Sequence, residues 1–143
     1  MNGFEWVVAP DVIAKGLDDY VEKALVAIQA AANYWGQMVQ DVARQDAPWE
    51  DRTGNARSGL FFAVDGFGLQ TITGDVSADA KSQMRDDITV ESGDANTLII
   101  TLGHTVFYGK FLELSNGGKN AVVMSTLEAN LTELERMVQD IFR

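Results

Sequence analysis

Cysteine is absent from this 143-residue chain, histidine occurs once and proline twice. Without cysteine no disulfide can brace the fold, so stability has to come from core packing. The same absence excludes thiolate zinc sites, and a lone imidazole cannot assemble a histidine-based one. Positive charge is also scarce. Against 21 Asp+Glu stand 11 Lys+Arg, a formal charge of -10, which is a poor grip for nucleic acid because phosphate binding needs clustered cations. No apolar run approaches the ~20 residues of a membrane-spanning helix. The opening Met1-Asn2-Gly3-Phe4-Glu5 lacks the basic and apolar regions of a secretory signal. The expected location is therefore the cytoplasm or a particle assembled there. What is present, 46% hydrophobic and 22% charged residues, suits one globular domain over residues 1–143.

Pro10-Asp11 reads as a helix start, because an aspartate there can cap free N–H groups. Ile13, Leu17, Val21, Leu25, Ile28, Ala32, Trp35, Val39 and Val42 then follow at spacings of three or four, the period of an amphipathic helix. The pattern predicts a helix from about Asp11 to Arg44, roughly 50 Å long. Gly16 and Gly36 are weak spots or close-packing points within it, and Ala27 and Ala30–Ala32 give it a thin profile. Pro48 ends it. In Arg52-Thr53-Gly54-Asn55-Ala56-Arg57-Ser58-Gly59-Leu60, Thr53 or Asn55 can cap a short helical turn docked by Leu60-Phe61-Phe62. Residues from about 64 to 87 read as a flexible acidic loop, with weak strand character near Leu69–Thr73 and a turn of helix near Ala78–Met84.

Ile88–Ser92 and Thr97–Leu102 read as a hairpin across the turn Gly93-Asp94-Ala95-Asn96. Val106–Tyr108 and Phe111–Leu114 continue the strand signals, and Ala121–Met124 is either a strand or the lead into a last helix. Ser125-Thr126-Leu127-Glu128 fits a capping box, followed by the stripe Leu127, Leu131, Leu134, Val138 and Ile141. The expected class is α+β: a long N-terminal helix, a small antiparallel sheet and a C-terminal helix packed on the sheet.

Catalytic chemistry finds little purchase. There is no phosphate-binding G-x-x-x-x-G-K-[ST] loop, no G-x-S-x-G nucleophile elbow and no calcium loop, and Gly66-Phe67-Gly68 lacks the third glycine of a dinucleotide site. His104, between Gly103 and Thr105, reads as a polar structural residue rather than a base. The expectation is a non-enzyme with no catalytic, cofactor-binding or metal-binding residues and no cofactor.

Two segments carry more. One is Ala47-Pro48-Trp49-Glu50-Asp51-Arg52-Thr53-Gly54-Asn55-Ala56-Arg57-Ser58-Gly59-Leu60. The other is Gly103-His104-Thr105-Val106-Phe107-Tyr108-Gly109-Lys110-Phe111-Leu112-Glu113-Leu114, with Asn116–Val123 after it. In order and spacing, together with the long first helix and the closing helix, they resemble the tail-completion, or neck, proteins of long-tailed bacteriophages, the family like the gene-ten product of lambdoid phages. The resemblance covers nearly the whole chain except about Val64–Asp87. It implies a structural virion protein at the head-to-tail interface. Such a protein forms a ring, hexameric to match the tail tube, that joins tube to head connector and lets genomic DNA pass without specific binding. The implied partners are copies of itself, the head connector or stopper, the tail terminator and the tail tube, with no membrane. The implied location is the virion neck, after assembly in the host cytoplasm.

In that light the candidate interface residues are Trp49, Arg52, Thr53, Gly54, Arg57, Tyr108 and Glu113. Arg52 and Arg57 flank a turn and suit carboxylates such as Glu50, Asp51 and Glu113. Trp35 and Trp49 are either interface anchors or core, and Tyr108 and Phe111 favour the core. Glu113 is a charge in an apolar run and needs a partner if buried; Arg57 is the first choice. A tail terminator is the nearest alternative. A small acidic cell-wall hydrolase and an acidic DNA-mimic inhibitor are alternatives of other classes.

Overall fold

The computed structural model describes residues 10–49, 55–78, 82, 92–105, 109–114, 117 and 121–143. Helix α1 runs over Pro10–Asp46, slightly longer than the periodicity predicts. Proline is tolerated at a first helical position, where its missing N–H has no partner to lose. Asp11 and Arg44 complement the two ends of the helix dipole. A short helix α2 (Asn55–Ser58) leads into strand β1 (Leu60–Gly66), followed by β2 (Ile72–Thr73) and β3 (Leu98–His104). Helix α3 (Gly109–Leu114) and helix α4 (Val123–Ile141) complete the described elements. The sheet is antiparallel in the order β2-β1-β3, so the α+β arrangement expected from the sequence is present.

Several expectations need correction. Val64–Gly66 belong to the central strand, not to a loop, and β1 pairs with β3 from Leu60↔His104 to Gly66↔Leu98. The run Leu60–Val64 is buried throughout, so it shows no alternation to mark it as a strand. Ile72–Thr73 is the strand expected near Leu69–Thr73, paired with Val64 and Ala63. Of the predicted hairpin, Thr97–Leu102 contributes β3, which lies beside β1; Ile88–Glu91 lie outside the described residues, and Ser92 is not in a strand. Phe111–Leu114 is helical rather than extended. Ala78 and Ser82 are helical, and the rest of the turn predicted around them lies outside the described residues.

The core lies between α1, β1, β3 and α4. Trp35, Val39 and Ala43 of α1 meet Leu60, Phe62 and Val64 of β1, with Leu102 and Val122. Trp35 is therefore core, and its indole N–H donates to the Asn130 carbonyl of α4 at 2.7 Å. On α4, Leu127, Leu134 and Met137 pack against this cluster, whereas Leu131 of the expected stripe is exposed. In the β1–β2 turn Gly66 has φ 145° and a Cβ there would lie 2.0 Å from the Thr97 carbonyl oxygen, so only glycine fits. The preceding Asp65 accepts hydrogen bonds from the Thr71 hydroxyl and, at 2.8 Å, from the Gly93 N–H. These bonds hold its carboxyl below the usual aspartate range.

The two helix glycines separate cleanly. A Cβ on Gly36 would sit 2.5 Å from the Phe62 ring, whereas one on Gly16 meets nothing within 4 Å. Gly16→Ala is therefore expected to stabilise by about 0.5–1 kcal/mol through helix propensity. Gly36→Ala should destabilise by about 1–3 kcal/mol, because overpacking against a buried ring outweighs that gain. Urea melts of the two variants should move in opposite directions; a shared direction would refute the packing role of Gly36.

Candidate assembly surfaces and the clasp at the helix ends

Three of the candidate interface residues, Trp49, Arg57 and Glu113, fall on one connected path. Arg57 lies in α2, and its guanidinium donates to the carbonyls of Arg44, Ala47 and Trp49. Arg44 is in the last turn of α1, whose carbonyls lack partners within the helix, while Ala47 and Trp49 lie in the segment just after it; a cation there also suits the helix dipole. The half-buried Trp49 ring packs on the core and lies 5.9 Å, centroid to centroid, from the imidazole of His104. His104 Nε2 meets Glu113 Oε1 at 2.9 Å. Glu113 also accepts from the backbone N–H groups of Val122 and Val123, at 3.0 and 3.1 Å to Oε1.

Glu113 is thus partnered by His104 and the open end of α4, which corrects the expected pairing with Arg57. The α4 start is corrected with it. The helix begins at Val123, Ser125 donates back to the Val122 carbonyl, and Val122 provides no side-chain cap. The cap comes from Glu113, across space, and a carboxylate favours the positive helix end. Because a carboxylate only accepts, Nε2 of His104 is the donor in this contact. Nδ1 is buried and has no hydrogen-bond partner among the described residues. A Cβ on Gly109 would come within 2.3 Å of His104, so α3 starts where only glycine clears the imidazole. Arg52, Thr53, Gly54 and Tyr108 lie outside the described residues.

Sequence reasoning missed a second polar cluster. Gln40 is fully buried in α1 and donates to the carbonyls of Leu60 and Asp75 at 2.8 and 3.0 Å. One turn on, Arg44 donates to Ser58, Leu60 and Asp75 carbonyls. Burial lowers the Arg44 pKa from its ordinary value, opposed by the nearby carboxylates of Asp41 and Asp75. Together these side chains tether the start of β1 and the segment after β2 to α1. The only available signal was spacing: Gln40 and Arg44 are i and i+4, hence on one helix face.

Among the described residues, two apolar surface features bear on assembly. Residues 10–23 of α1 are all exposed, including Ile13, Leu17, Tyr20 and Val21. Between β3 and α4 lies an open groove of about 370 Å³ lined by Leu98, Ile100, Leu127, Leu131 and Leu134, with Trp35 and Glu128. Among the described residues, no group of three His, Cys, Asp or Glu side chains is placed to hold a metal ion. No described helix is long and apolar enough to cross a membrane. Compared with protein-family models, curated proteins and solved structures, the chain matches none.

Proposed function

We propose that the chain is a structural virion protein of the tail-completion, or neck, kind. It forms a ring that joins the tail tube to the head connector, and it acts by docking rather than catalysis. The observation that carries the reading is the uncovered apolar half of α1. Leu17 at 61% and Tyr20 at 58% exposure leave a helix face that a lone soluble chain has no reason to present. The order of the two motif segments supports the same reading. So does the charge of -10, since an acidic lumen lets DNA slide without gripping phosphate. Trp49, Arg57 and Glu113 then brace the subunit that presents these surfaces.

The test is location. In an electron-microscopy map of a particle carrying this chain, it should occupy the neck with rotational symmetry. Its absence from the finished particle, or a place elsewhere in it, would overturn the reading.

A further inference from the structure

Helices α1 and α4 run antiparallel. Trp35 of the one donates to Asn130 of the other, while Val42 and Asp46, nearer the end of α1, sit across from Val122 and Ser125 at the start of α4. Between these two helix ends lies a cavity of about 350 Å³. Asp46, Ser125, Thr126 and Asn130 supply its polar lining, and Val42 and Pro48 are among its apolar walls. The four polar side chains share one character, an oxygen left to accept. The Asp46 carboxylate has no partner among the described residues. Ser125 donates its hydroxyl hydrogen to the Val122 carbonyl at 3.3 Å, so its oxygen can only accept further. The amide nitrogen of Asn130 donates to the Thr126 carbonyl at 2.8 Å, and its amide oxygen has no partner among the described residues. Thr126 is only 6% exposed, yet its hydroxyl has none among them either. A hydroxyl taken out of water costs stability until something bonds to it.

We infer that this cavity receives an arginine side chain of a protein partner. A guanidinium carries five N–H donors and no acceptor, which matches a lining of one carboxylate and three neutral oxygens. Its planar fork suits the carboxylate, and its methylene stem can lie along Val42 and Pro48. The helix ends agree. Asp46 is the last residue of α1, at the negative end of that dipole, whereas the positive end of α4 is already met by the Glu113 carboxylate. The chain's own cations at this end of α1 are engaged elsewhere. Arg44 holds the carbonyls of Ser58, Leu60 and Asp75, and Arg57 those of Arg44, Ala47 and Trp49. Asp46, Pro48 and Ser125 are exposed, so a side chain borne on another chain can enter from solvent.

The test is a nuclear magnetic resonance titration of the full chain with N-acetyl-arginine amide. The amides of Ser125, Thr126 and Asn130 should shift and saturate. N-acetyl-citrulline amide, of similar size but uncharged, should bind more weakly, and added salt should weaken the arginine probe. Asp46→Asn and Thr126→Val should each weaken it about five-fold, with the circular dichroism spectrum unchanged. Putrescine, a free diamine, should bind no better than the arginine probe. Citrulline binding as well as arginine, putrescine binding more tightly, an unchanged affinity in both variants, or no shift at these amides up to roughly 50 mM probe would each overturn the inference. None of these results bears on whether the chain is found at a particle's neck, so the two readings fail separately.

Discussion

Replacing Phe62 with alanine should remove about 3–5 kcal/mol of stability, against a total of about 5–15 kcal/mol for a domain of this kind. Phe62 is at the centre of β1 and 2% exposed. Its ring lies between two glycines, Gly36 of α1 and Gly74 after β2; a Cβ on either would come within 2.5 Å of it. That arrangement puts the loss at the upper end. Neither neighbour has a side chain to swing into the vacated space, so the cavity cannot collapse from those two sides, and residual cavity volume sets the extra cost. Gln40 reaches the same place, with its amide oxygen 2.9 Å from the Cβ position of Gly74. The void would therefore open beside a buried polar group. Urea unfolding of Phe62→Ala and Phe62→Leu measures the effect, with leucine losing less because it fills part of the space. A loss below about 1.5 kcal/mol for the alanine variant would mean that the core closes around the site, and the account of Phe62 as the centre of packing would fall.

Glu113→Ala is the second large effect, about 2–3 kcal/mol, because it strands three donors together. These are the Val122 and Val123 N–H groups at the start of α4 and Nε2 of His104. Val122 is 3% exposed, so water cannot readily take the place of the carboxylate. Glu113→Gln keeps one acceptor oxygen but loses the charge that favours the helix N-terminus, and should cost about 1 kcal/mol. A double-mutant cycle with His104→Ala should return a coupling of about 1 kcal/mol, as for groups in one hydrogen-bond network. Amide exchange at Val122 and Val123 should accelerate in Glu113→Ala. Ser125→Ala and Glu128→Ala, the pair that sequence pattern alone selects as the cap, should stay within about 0.5 kcal/mol of wild type. If those two variants lose more than Glu113→Ala does, the cap has been assigned to the wrong residues.

Glu113 shows where local reading fails. A charge inside the apolar run Phe111–Leu114 signals a buried partner, and that inference holds. The partner's identity depends on which elements meet, and no spacing rule brings residue 104 or the amides of 122 and 123 to residue 113. Likewise Ser125-Thr126-Leu127-Glu128 is a sound capping signature by sequence. It loses because a carboxylate from another helix already holds the N–H groups two residues earlier. The motif around Trp49 and Arg57 was legible as something specific. Its chemistry, a guanidinium holding the Arg44 carbonyl of α1 and the Ala47 and Trp49 carbonyls just beyond it, emerges only when α2 turns back onto that helix end.

The sequence by itself determined the class and the two long helices, because their apolar periodicity is a local property of the chain that survives any arrangement of neighbours. It also determined what the protein lacks, thiols and a second imidazole, and its net charge of -10. Tertiary structure decided the rest. It made Leu60–Gly66 the central strand, since burial on both faces erases the alternation that marks a half-exposed one. It also separated Gly36 from Gly16, which no propensity distinguishes, by bringing Phe62 against one and nothing against the other. And it divided the single stripe of α1 into a covered half and a bare half. Periodicity records that a helix face is apolar, but only the length and placement of α4 decide where along that face the covering stops.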